Sequence, residues 1–275
     1  MPNRFALPRS LLSTLVTCCA LTLAGCSGGR TTANALTLSG STSVSPFAEH
    51  LGEFYQKQHA GIAINVQSLG SSAGIQAAIQ GVAEIGMSSR DLKTDEAAKL
   101  DQLVIARDAL AVVVHPSNRV SGLTQQQVKD IFAGKIVNWR ELGGDDARIT
   151  LVAREAGSGT FSAFEELVLQ GVPVTHAALR QGSNGAIRQV VAEDEHAIGY
   201  ISLGIVDASV KALAIDSIQP THQEVIAGHY KFVRKFLFVW AKGRQPGALA
   251  QAFMDYVMSE EGQTEFEKLG LIRAS

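Results

Sequence analysis

Three stretches of this chain share one grammar, in which an apolar strand-like run leads into glycines and hydroxyl residues and then into a helical pattern. They read Gly40-Ser41-Thr42-Ser43-Val44-Ser45-Pro46, Gly70-Ser71-Ser72-Ala73-Gly74 and Gly157-Ser158-Gly159-Thr160. A helix start leaves backbone N–H groups unpaired and carries partial positive charge, and neighbouring Ser and Thr hydroxyls can donate to the same guest. Pro46 suits a first helical position, where its missing N–H costs nothing. Such a terminus is suited to holding an anion. For any single loop, the preference of Ser and Thr for helix N-caps is explanation enough. Three such loops, each flanked by Gly so that a guest can approach the backbone, point instead to one shared guest. Arg154 lies four residues before Ser158, at the mouth of the third loop. Its forked guanidinium matches an oxyanion through two hydrogen bonds, although on spacing alone a salt bridge with Glu155 serves equally well.

Other chemistries leave weaker traces. The second loop also fits G-x-S-x-G, the nucleophile elbow of α/β hydrolases, with Ser72 as nucleophile and Asp207 with His222 or His229 as possible partners. That alternative leaves the other two loops and Arg154 without a role, so it ranks below binding. No G-x-x-x-x-G-K-[ST] occurs, which disfavours a nucleotide enzyme. The seven histidines, His50, His59, His115, His176, His196, His222 and His229, show neither H-E-x-x-H nor a paired-Cys spacing, so neither a metal nor a cofactor is expected. Acids number 26 against 24 basic residues, and no basic stripe is present, which argues against a nucleic-acid partner.

The elements that must position these loops follow an address segment. Arg4 and Arg9 precede an apolar run, 11–24, too short to span a bilayer, so residues 1–25 read as a secretory signal peptide. The run ends in Leu23-Ala24-Gly25-Cys26, which looks like a lipobox, so Cys26 is the expected site of lipid attachment and residues 26–34 form a small, polar tether. The chain has 3 cysteines, Cys18, Cys19 and Cys26, none in the body, so no disulfide framework is available. From residue 35, strand-like runs (36–38, 62–69, 84–87, 110–114, 149–153, 197–202, 236–241) alternate with helical ones (47–55, 75–82, 124–132, 161–169, 246–258, 260–269). This alternation predicts an α/β fold with a largely parallel core.

Beyond the three loops, further motifs carry a family resemblance. They are Glu84-Ile85-Gly86-Met87-Ser88-Ser89-Arg90, Ile131-Phe132-Ala133-Gly134-Lys135-Ile136 with Asn138-Trp139-Arg140-Glu141-Leu142-Gly143, Arg154-Glu155-Ala156-Gly157-Ser158-Gly159-Thr160, and Ala197-Ile198-Gly199-Tyr200-Ile201-Ser202. In this order they span almost the whole mature chain, which resembles the phosphate-binding proteins of ABC-type phosphate importers, a periplasmic-binding-protein family. The resemblance implies a two-lobed periplasmic-binding-protein fold with a ligand cleft and two crossover segments, near 114–116 and 220–231. Lobe I would comprise residues 35–114 and 222–275, and lobe II residues 115–221.

The implied function is extracytoplasmic, non-catalytic capture of inorganic phosphate, or a similar oxyanion, for ABC importer permease subunits. The protein would be a monomeric periplasmic or cell-surface lipoprotein held at the membrane by its N-terminal anchor; an adhesion or sensing protein that kept the fold is a further alternative. The resemblance implies Thr42, Ser43, Ser71, Arg154, Ser158, Gly159 and Thr160 as ligands, and Ser41, Ser72, Ser89 and Arg90 are expected beside them in the site. Two positions depart from some members: Ser89 stands where they carry an Asp that accepts the phosphate proton, and Ala156 where they carry an Asp that braces the Arg. Spacing leaves Asp91 and Glu155 open as replacements for the acceptor.

Overall fold

The computed structural model describes residues 34–274; the signal peptide and Cys26 expected at the N-terminus lie outside the described residues. In chain order the elements are β1 (Ala35–Gly40), α1 (Ser45–Gln58), β2 (Ala63–Ser68), α2 (Ser71–Gln80), β3 (Ile85–Ser88), α3 (Thr94–Ala97), β4 (Leu100–Val114), β5 (Gly122–Leu123) and α4 (Gln125–Phe132). They continue as β6 (Thr150–Arg154), α5 (Gly159–Leu167), β7 (Leu179–Gln181), α6 (Asn184–Glu193), β8 (Ala197–Ser202), β9 (Lys211–Ala212), β10 (Ala214–Ile215), α7 (His222–Ile226), β11 (Val233–Ala241), α8 (Ala248–Met258) and α9 (Glu260–Lys268). Among the described residues no helix is long and apolar enough to cross a membrane.

Burial explains why these segments adopt these states. In α1, Phe47, Ala48, Leu51 and Tyr55 recur at helical spacing and are all buried. In β8 every residue is buried, as expected of a strand covered on both faces. Among the described residues nine strands join in one curled sheet, ordered β2-β1-β3-β11-β4-β8-β6-β7 with β9 added against β4, and β5 pairs with β10 in a separate two-stranded sheet. β1 runs parallel to β2 and β3, and β6 runs parallel to β7 and β8, so α1, α2, α5 and α6 are crossover helices of the βαβ kind.

The long strand β4 belongs to both ends of this sheet. Residues 100–109 pair with β11, whereas Leu110–Val114 pair with β8. Its partner therefore changes inside the strand, upstream of the connection at 114–116 suggested by sequence. The chain returns where Phe232 O still accepts the Leu110 N–H and Val233 begins β11. Two separate cores accompany the two ends. One gathers Leu36, Leu38, Phe47, Leu51, Ile85, Phe236, Phe238, Phe253 and Phe266; the other gathers Phe132, Trp139, Phe164, Ile198, Tyr200 and Tyr230. The fold is thus α/β and two-lobed, as expected, but the largely parallel core predicted from the alternation is not found in the middle of the sheet, where β11 pairs antiparallel with β3 and β4, and β4 antiparallel with β8.

Candidate functional site

The carboxyl ends of β1, β2, β6 and β7 lead into the N-termini of α1, α2, α5 and α6, and in such sheets ligands sit beyond those strand ends. Here the loops from the two lobes touch. The Ser43 and Thr160 hydroxyl oxygens lie 2.6 Å apart, and the Ser72 N–H donates to Gly157 O at 3.2 Å. Gly159 approaches so closely that a Cβ on it would overlap the hydroxyls of Ser71 and Ser89. All three Gly/Ser loops of the sequence therefore converge on one seam.

Capping separates these loops from ordinary helix starts. Ser158 caps its own helix, its Oγ accepting the Phe161 N–H at 3.2 Å. Neither α1 nor α2 has a side-chain N-cap, and α2 starts at Gly70 with φ of 91°, a left-handed value that favours glycine. The hydroxyls beside them face one another instead: Ser41 Oγ donates to Ser89 Oγ at 2.9 Å, and Ser71 Oγ accepts the Ser89 N–H at 3.1 Å. Ser41, Ser43, Ser71, Ser89 and Thr160 are all buried. The clustered hydroxyls give a donor-rich nest.

Arg154 reaches this nest from the end of β6 and is 1% exposed. Its Nε donates to Gln181 O at 3.1 Å, and its Nη2 donates to Gly182 O at 2.8 Å and, across the seam, to Thr42 Oγ1 at 3.0 Å. Glu155 lies 3.7 Å away with its carboxylate half exposed, so the salt bridge allowed by spacing exists but is long and wet. Burial pulls the guanidinium down to about 10, an effect Glu155 opposes, and it stays protonated at neutral pH. Nη1 has no hydrogen-bond partner.

A second guanidinium escaped the sequence reading. Arg234 of β11 donates through Nε and Nη2 to Asp108 of β4, at 2.9 and 2.8 Å, and through Nη1 to Thr160 Oγ1 at 2.8 Å. The other Asp108 oxygen accepts from Ser202 Oγ at 2.7 Å, and Asp108 is fully buried. Burial drives the Asp108 carboxyl up and the Arg234 guanidinium down, and each is held charged against that pressure by the other. Asp108 thus neutralises Arg234, while Arg154 has only the distant, solvated Glu155, which leaves net positive character in the seam. Asn184, first residue of α6, was missed as well: its Nδ2 donates to Ser43 Oγ at 2.6 Å and its Oδ1 is unpartnered. Gly182-Ser183-Asn184-Gly185 repeats the grammar of the other loops and could have been read as a fourth.

Other expected members go elsewhere. Both Nη atoms of Arg90 donate to the Glu96 carboxylate, at 2.7 and 2.8 Å, so this guanidinium is turned away from the seam. A side chain whose fork is already filled by a buried carboxylate has no reason to seek an anion. Asp91 pairs with Lys235 at the surface. Nor does a hydrolytic triad form: Asp207 bonds Ser209 and Arg188, His229 bonds Glu224, and His222 Nδ1 has no hydrogen-bond partner. Among the described residues no group of three His, Cys, Asp or Glu is placed to hold a metal ion.

Comparison with known proteins follows the same lines. Residues 27–261 match the family model of the PBP superfamily domain. A Bacillus subtilis protein, Phosphate-binding protein PstS, is 33% identical over 242 residues, covering 86% of this chain and 79% of the relative. A Clostridium perfringens structure, taken to be a phosphate ABC transporter substrate-binding protein and solved with phosphate bound, superposes with a TM-score of 0.82 at 42% identity, covering 87% of this chain and 99% of that one. An ABC-type phosphate transport receptor from Vibrio cholerae superposes with a TM-score of 0.72 at 36% identity, covering 86% and 99%.

Proposed function

We propose, from the premise that this chain belongs to the PBP superfamily and is a phosphate-binding protein of ABC-type phosphate import, that its two lobes close on inorganic phosphate at the seam of the four loops. The observation that carries this reading is the convergence of loops from both lobes on one buried set of hydroxyls and two guanidiniums. Thr42, Ser43, Ser71, Ser89 and Thr160 replace water around the anion, together with Arg154. Ser41 and Ser158 hold the loops, Gly159 lets them meet, and Arg234 supplies a second, Asp108-braced donor. Ser72 and Arg90 have no part in this ligand set. Charge is balanced by dipoles and one incompletely paired guanidinium, which suits an anion that must be released again.

Motion in this scheme is a hinge. The partner exchange inside β4 at Ala109/Leu110 and the start of β11 at Val233 mark the places where the lobes rotate, so lobe I is residues 35–109 with 233–274. Contacts such as Thr42–Arg154 and Ser43–Thr160 belong to the closed form, which then docks on the importer's permease subunits. The protein is non-catalytic and monomeric. Cys26 carries the lipid that anchors it, on the outer side of the inner membrane or at the cell surface, and two or more acyl chains make such anchoring stable.

Calorimetric titration of the full-length protein with phosphate, sulfate and molybdate tests the central claim. Phosphate binding with heat and saturation is expected. An Arg154→Ala variant that bound phosphate as tightly as the parent would falsify the site assignment.

A further inference from the structure

Of the polar groups in the seam, two are left over. Arg154 Nη1 and Asn184 Oδ1 are buried, and neither has a hydrogen-bond partner. Both atoms belong to side chains that reach the same stretches of chain: Arg154 donates to Gly182 O and Thr42, and Asn184 donates to Ser43. One is an obligate donor and the other an obligate acceptor. A buried polar atom left without a partner is costly, so a guest that satisfies both is favoured over one that satisfies only the donor. The guest must then present an oxygen lone pair and also a proton.

The charged and carbonyl acceptors around the seam are already engaged. Gln181 O and Gly182 O are occupied by Arg154. Both oxygens of Asp108 are engaged, by Arg234 and by Ser202. Asp91 is spent on Lys235, and Glu155 is half exposed. Ser89 Oγ accepts from Ser41. Asn184 is not needed to cap its own helix either, since Ser183 Oγ accepts the Ala186 N–H. The hydroxyl chain accommodates the orientation in which the Asn184 amide nitrogen faces Ser43. Thr160 Oγ1 accepts from Arg234, which frees its proton for Ser43 Oγ, and that oxygen accepts from Asn184 Nδ2 as well, leaving Oδ1 toward the guest.

Resting on the reading of this seam as the phosphate site, we propose that Asn184 sets specificity: its carboxamide oxygen accepts the proton of a protonated oxyanion while Arg154 Nη1 donates to an unprotonated oxygen. A fully deprotonated tetrahedral anion such as sulfate satisfies the arginine and strands the amide. Because the acceptor is neutral, it discriminates by an unmade hydrogen bond and not by charge repulsion. A carboxylate at the same position would do both.

Titration calorimetry of the full-length protein with inorganic phosphate and with sulfate at neutral pH tests this, comparing the parent with Asn184→Leu and Asn184→Asp. The parent prefers phosphate. Asn184→Leu weakens phosphate about a hundredfold and sulfate by less than about threefold, so the ratio collapses. Asn184→Asp keeps phosphate binding and loses sulfate further. Asn184→Ala reads the same ratio without added bulk should the Leu variant fail to fold. An equal loss of both anions in the Leu and Ala variants would reduce Asn184 to a positioning residue and overturn the proposal. So would a parent that holds both alike, the result if the amide presents its nitrogen. A parent that binds neither anion would instead remove the phosphate reading itself.

Discussion

Arg90 and Arg154 are both buried and both lie at or just beyond the end of a strand that has a parallel neighbour, yet they face opposite fates. Arg90 meets Glu96 through both Nη atoms, and Glu96 also accepts the Lys93 N–H, so charge and hydrogen bonds close on themselves within lobe I. Arg154 meets two carbonyls and a hydroxyl from the other lobe, and one of its Nη atoms meets nothing. The first arrangement is a finished structural clamp. The second is desolvated, still charged and short of an anion, at the junction of two bodies. What separates the two arginines here is therefore incomplete pairing across the seam, and burial alone does not separate them.

Removing each arginine's function should break this comparison in opposite ways. Arg154→Ala is expected to weaken phosphate at least about a hundredfold, the scale for truncating one partner of a buried charged hydrogen bond. Its melting temperature without ligand should hardly fall, since the lost contacts are to carbonyls that water can reach once the lobes part. Calorimetry and thermal melts with and without phosphate measure both. A variant that lost stability without losing affinity would make Arg154 a clamp like Arg90.

The converse holds for Glu96→Gln. It leaves the buried Arg90 without its counter-charge and is expected to cost about 3 kcal/mol of stability, with phosphate affinity unchanged. The Arg90 hydrogen bond holds the Glu96 carboxyl below its usual range, while burial opposes that. A carboxyl depressed in the folded state adds stability at pH above its unfolded pKa and loses it as pH falls through the folded value. Denaturant melts of the parent should therefore weaken on acidification through and below the ordinary carboxylate range. Those of Glu96→Gln should start lower at neutral pH and fall less steeply. Parallel curves would show that the clamp is not what titrates.

Gly159→Ala sharpens the seam itself. Its Cβ would overlap the Ser71 and Ser89 hydroxyls, so the lobes cannot close to the same distance. Affinity is expected to drop about tenfold, the effect of a single displaced hydrogen bond or so. Ligand-free stability should stay near the parent's, because Gly159 sits at the start of α5 with ordinary helical geometry inside its own lobe. Unchanged affinity would mean that loops two and three do not meet around the bound anion.

Sequence made some of this legible and hid the rest for reasons of distance. The first three loops could be read because helix-start chemistry is local: Gly, hydroxyls and an amphipathic run fall within a few residues. Continuous apolar runs such as β8 and the body of β11 were equally plain. The first half of β4 was not, since residues 100–109 mix polar and apolar types on a half-exposed ribbon. The fourth loop was hidden by its strand, because β7 is 3 residues of Leu-Arg-Gln and looks like coil. Arg234 and Asp108 were hidden by separation: they meet over 126 residues, and only their intrusion into apolar strands hinted at a buried pair. Arg90 was expected beside Ser89 in the site, but the chain's own Glu96 claims it.

The smallest expected effect belongs to Ser72, and it separates binding from hydrolysis. As the central residue of a G-x-S-x-G stretch it should be indispensable to an esterase, and Ser72→Ala would abolish turnover. Here its link to the other lobe is a backbone N–H donated to Gly157 O, which alanine provides equally well. The Asp207 and His229 that would activate it are bonded to Ser209, Arg188 and Glu224. Ser72→Ala is therefore expected to change phosphate affinity by less than about twofold, within the usual reach of a partly exposed hydroxyl. Neither parent nor variant should release chromophore from an activated ester. Turnover in the parent that the variant lost would return Ser72 to the centre of the molecule and demote Arg154 to its surroundings.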